Sequence, residues 1–218
     1  MMEVMQAHWT TVLIIVFTLL VTPFYWFFVL PHKKAVIMAW ISAALAAGML
    51  TVNLFDVTGR LGPPGAGFIG LMWVVPPGIV WKQRNWFTGL GQKPLVGLQI
   101  FRLIGALFIL EMFRGNIPGS FAWPAGIGDI LVGLLALFLF LTYSKVPRIG
   151  LIALILIGVT DFMSAFFFGF TSFEGPAQLF AKGFQNKANL FPTGLIPFFL
   201  VPYAITFHLL SLINLQER

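Results

Sequence analysis

Seven stretches of this chain, at residues 9–30, 35–55, 66–81, 95–113, 124–143, 149–170 and 191–213, are almost wholly apolar. Wound as a helix, a run of about 20 such residues matches the ~30 Å hydrocarbon thickness of a bilayer. Little else remains: 59% hydrophobic and 9% charged residues in a chain of 218 leave no room for a separate soluble domain. The expected fold is therefore an all-α integral membrane protein, a bundle of seven transmembrane helices forming one multi-pass domain over residues 1–218.

The third stretch is the exception. It is short and carries Pro76-Pro77-Gly78 in its interior, which predicts a broken helix or a re-entrant segment. Loop charges fix an orientation. With seven spans and the N-terminus outside, Lys33, Lys34, Lys82, Arg84, Lys93, Lys145, Arg148 and Arg218 fall inside, against Arg60, Arg114, Lys182 and Lys187 outside. The positive-inside rule favours that arrangement, with the C-terminus inside. The N-terminus lacks a basic n-region and a small-residue cleavage site, so residues 9–30 are expected to be a retained span. A bacterial cytoplasmic membrane is the expected location.

Several local features bear on packing. Ala43-x-x-x-Ala47 and Ala44-x-x-x-Gly48 place small residues one turn apart, as close helix contacts require. Pro197 and Pro202 should kink the last span. The connection 171–190 holds Leu179, Phe180 and Phe184 near Lys182 and Lys187, a pattern for a short amphipathic segment.

Against this apolar background the polar residues stand out. Asp129 and Asp161 each lie inside a span, and an intramembrane acid is by default a functional-site hypothesis. By helical rise, Asp129 lies roughly 8 Å below the outer start of the fifth span and Asp161 roughly 12 Å below the outer edge of the sixth. Those spans are joined by a short loop, so the two acids are expected to face one cavity. Asn53 with Asp56, and Glu111 with Arg114, lie toward the same side. Together these six residues predict an outward-facing polar pocket, with Arg114 as the nearest counter-charge for the aspartates.

Each member has a plain structural alternative. Glu111 and Arg114, at i and i+3, can pair on one helix face. Asp56 opens a Gly- and Pro-rich turn where Asp is ordinary. Arg102, about ten ångströms into the fourth span, points back toward the cytosolic end and is expected to snorkel there. Asp161, flanked by Thr160 and Ser164, is hardest to dismiss.

The sequence excludes much chemistry. It has no cysteine, and His8, His32 and His208 are too scattered to pair around a metal, so no metal site is expected. It has no phosphate-binding loop and no nucleophile elbow, and its basic residues form no run that would suit nucleic acid. No cofactor is expected. Seven spans are similar to the rhodopsin plan, yet all seven lysines lie outside the last span, which removes a retinal Schiff base. Three readings survive. The first is binding or transport of a proton, cation or small solute through Asp129 and Asp161. The second is acid catalysis on a lipid or isoprenoid, which resembles integral-membrane terpene cyclases only in span number and aromatic content. The third is an accessory subunit that meets a membrane partner, or a second copy of itself, in the bilayer.

Overall fold

The structure, a computed structural model of the protein, describes residues 9–56 and 63–215. His8, Arg60, Glu217, Arg218 and the turn residues 57–62 lie outside the described residues. Seven long helices run along the chain: α1 (Trp9–Val29), α2 (His32–Leu54), α3 (Pro63–Lys82), α4 (Gln92–Phe113), α5 (Gly119–Leu141), α6 (Arg148–Ser172) and α7 (Ile196–Asn214). Among the described residues there is no strand, and six helices, α1, α2 and α4 to α7, are long and apolar enough to cross a membrane. Prolines set several starts. Pro31, Pro118 and Pro147 stand at the N-caps of α2, α5 and α6, where a missing N–H costs nothing.

The expected break in the third stretch is absent: α3 continues for 20 residues through Pro76 and Pro77. Proline's fixed φ is itself helical, so two prolines remove two hydrogen bonds without forcing the chain to turn, and apolar turns on both sides carry the helix across.

Two compact units form. The first comprises Met1–Val74 and Asn189–Pro202. Here α1 and α2 make a hairpin, tied by Trp26 Nε1 donating to Ser42 Oγ at 2.7 Å. The packed face of α2 runs through Ala35, Ser42, Ala46, Met49 and Asn53. That corrects the small-residue expectation, because Ala44 and Gly48 are exposed and nothing lies within 4 Å of where a Gly48 Cβ would sit. The bend expected at Pro197 takes the form of a π turn over Ile196–Leu200. A wider turn leaves carbonyls in need of donors, and Pro197 O receives the Trp73 indole N–H at 2.8 Å.

The second unit comprises Val75–Ala188 and Tyr203–Arg218. Val96, Val132, Ala136, Leu139, Leu151, Leu154, Ile155 and Leu215 form its apolar core. Helices α4 and α5 approach closely because α5 offers glycines at the contact: a Cβ on Gly133 would lie 2.9 Å from Leu103 N. The helix-end chemistry of α4 is equally specific. Gly115 has φ +75°, and the Gly115 and Asn116 N–H groups bond back to Met112 O and Glu111 O, a Schellman cap that stops the helix. No helix forms between Ser172 and Ile196, contrary to the amphipathic segment expected there; Leu179 and Phe180 instead give their N–H groups to Thr171 O.

Candidate functional site

The site begins with an irregularity in α4. Over Gln99–Gly105 that helix tightens to 3₁₀ winding, and with three residues per turn, positions i and i+3 eclipse. Gln99, Arg102 and Gly105 therefore stack on one edge, and all three are buried. Arg102 is 1% exposed.

Its guanidinium reaches two other helices. Nε donates to Asp129 Oδ1 of α5 at 2.7 Å, and Nη2 donates to Asp161 Oδ2 of α6. The remaining nitrogen, Nη1, lies 3.4 Å from both Gly158 O of α6 and His208 Nε2 of α7. A guanidinium only donates, so in this contact Nε2 can serve only as the acceptor. The Phe162 ring lies flat to the ion, 4.0 Å from its central carbon. One arginine thus joins four helices.

Three glycines make this geometry accessible. A Cβ at Gly105 would collide with the Asp129 carboxylate, one at Gly128 with Asp161 Oδ1, and one at Gly158 with His208 Nε2. The charged groups occupy the volume that these side chains leave vacant.

The charge balance is uneven. Two carboxylates share one guanidinium, so with both ionised the acids would outnumber the cation by one. Both acids are more than nine-tenths buried. An unmatched buried charge is costly, which makes a proton or a cation the natural complement. Asp161 also lines a groove of about 600 Å³ between α5 and α6. Its second oxygen, Oδ1, accepts no hydrogen bond from the described residues and packs beside Gly128, another residue of that groove.

A family model described as a domain of unknown function (DUF8737) matches residues 69–216. The chain belongs to this family. The DUF8737 region takes in every residue of the cluster: Arg102, Asp129, Gly158, Asp161, Phe162 and His208. No curated protein and no solved structure matches the chain.

Of the six residues singled out from sequence, the structure brings Asp129 and Asp161 together, on Arg102. The expected counter-ion is corrected: Arg114 pairs instead with Glu111, whose other oxygen accepts from Asn116 Nδ2 at 2.7 Å, within the cap that ends α4. Asn53 and Asp56 belong to the first unit. There Asn53 Nδ2 donates to Asn189 O at 2.8 Å, and Asp56 takes φ +47° just past the end of α2. The snorkelling expected of Arg102 does not occur: its guanidinium is buried and held by the two carboxylates. His208 is the other residue that the sequence did not point to; it is 2% exposed. For Arg102 there was a signal. A lone cation and two acids buried in apolar helices must pair with one another, since no other partner of opposite sign is within reach.

Proposed function

We propose that this DUF8737 protein spans the membrane seven times, N-terminus outside and C-terminus inside, and uses the Arg102–Asp129–Asp161 cluster to bind and transport a proton, a cation or a small polar solute. The observation that carries the reading is the excess carboxylate: one guanidinium is shared by two buried aspartates, and the free oxygen of Asp161 lies at an open groove. A site that is one positive charge short in an apolar setting has a reason to take one up and to release it when the surroundings change.

The length of α3 supports the seventh crossing, since 20 residues rise about 30 Å. Charge supports the orientation. With α3 crossing, Lys33, Lys34, Lys82, Arg84, Lys93, Lys145 and Arg148 lie on one side, whereas Arg114, Lys182 and Lys187 lie on the other.

Proteoliposomes carrying a trapped pH indicator test the function. Under an imposed cation gradient, wild-type protein should move protons, and Asp161→Asn should lose that flux while the purified protein keeps its helical spectrum. Equal flux from the two proteins would end the transport reading.

A further inference from the structure

The groove beside Asp161 has two kinds of wall. Trp123, Ile127 and Leu131 recur every four residues along one face of α5, and Leu156 and Ile157 face them from α6. These five are exposed, between 43% and 61%. The floor is different. Thr160, Asp161 and Ser164 put two hydroxyls and the free carboxylate oxygen along one strip of α6. An apolar groove thus ends on an acid that shares its one guanidinium with a second acid.

That combination selects against a small hydrated ion, which would have to shed water beside side chains that offer it nothing in return. It also selects against a neutral apolar molecule, which would leave the carboxylate excess unmatched. A ligand suits both parts when it carries one positive charge on an N–H donor and a hydrocarbon body behind it. The groove, about 600 Å³ and open along its length, has room for a hydrocarbon chain.

We infer that the groove between α5 and α6 admits an amphipathic monocation, a protonated amine on a single hydrocarbon chain, from the hydrocarbon layer of the membrane, its ammonium donating to Asp161 Oδ1. This rests on the cation-binding reading above and names its ligand class. A diacyl phospholipid is the wrong occupant, because its phosphate would bring a second anion beside Asp161.

The test uses the full chain in phosphatidylcholine nanodiscs, with binding counted above protein-free nanodiscs. Radiolabelled dodecylammonium is the probe, and 1-dodecanol of equal chain length is the control for charge. Wild-type protein should bind dodecylammonium saturably and at least tenfold more tightly than dodecanol. Asp161→Asn should erase that preference. Leu131→Trp, a change at an exposed wall position, should fill the groove and weaken dodecylammonium at least tenfold; Leu156→Trp does the same from the facing wall if the first variant has lost its thermal transition. Should dodecylammonium bind no better than dodecanol while Asp161-dependent proton flux persists, the amine inference is overturned and the transport reading stands. Binding that ignores both groove-filling variants also overturns it. If neither binding nor flux depends on Asp161, both readings fall together.

Discussion

Arg102 and Asp129 meet through a single 2.7 Å bond from Nε to Oδ1, and that bond joins α4 to α5 at the point where glycines bring the two backbones closest. Its second role is to orient the guanidinium. With Nε engaged on one side, the terminal nitrogens are left to face Asp161, Gly158 and His208. Asp129 therefore reads as the structural half of the acid pair and Asp161, beside the groove, as the exchangeable half.

The two aspartates and the arginine should respond unequally to mutation. Arg102→Gln leaves two buried carboxylates facing each other and is expected to cost about 3–5 kcal/mol. Asp161→Asn leaves one cation matched to one anion and should cost ~1–2 kcal/mol, the scale of a weakened charged hydrogen bond. Thermal unfolding in detergent ranks them. Equal losses would show that the charge imbalance is misread.

Glycine replacement offers a test of close packing that leaves the charges alone. Gly105→Ala drives a methyl into the Asp129 carboxylate and is expected to destabilise by about 1–3 kcal/mol, the range for overpacking. Gly48→Ala enters open space on α2, where helix propensity alone predicts a gain of roughly 0.5–1 kcal/mol. Opposite signs in a paired melting experiment are the expected result.

At the far end of α4, Glu111 accepts from both Arg114 and Asn116. Glu111→Ala removes both bonds from a position 2% exposed and should cost about 1–3 kcal/mol. Hydrogen exchange read by mass spectrometry should then show faster exchange at the α4 end and in the turn that follows. Unchanged protection there would assign the cap to Gly115 alone.

In the first unit, Asn53 ties α2 to the chain before α7. Asn53→Leu leaves Asn189 O without its 2.8 Å donor, with an expected loss of ~1–3 kcal/mol for a buried unsatisfied carbonyl. Asn53→Asp should fare no better, since a carboxylate has no N–H to give. Recovery of wild-type stability in the aspartate variant would contradict the assignment.

Hydropathy makes the helices legible, because a run such as 149–170 has one stable answer in a bilayer and the observed α6 differs from it by a residue or two at each end. The conjunction of Asp129 and Asp161 was legible too, from matched depth on adjacent spans. Arg102 was not. Its depth was counted from residue 95, whereas α4 begins at Gln92, which sets it about one turn deeper than the snorkelling argument assumed. The 3₁₀ winding that turns its edge inward leaves no mark in composition. His208 was hidden for a related reason, since a lone histidine near a helix end has no periodicity to betray what it faces. Pro76-Pro77 misled in the other direction, because a strong local breaker was outweighed by apolar turns on either side.

The π turn over Ile196–Leu200 holds one residue more than an α turn would. It thereby sets the angular phase of everything after it in α7. Deleting a single residue from that turn would restore regular winding and shift by about 100° the phase of the downstream face, the face that carries His208, Ser211 and Asn214. Chain length in this one turn is thus a constraint on the helix that no side chain of the turn reveals.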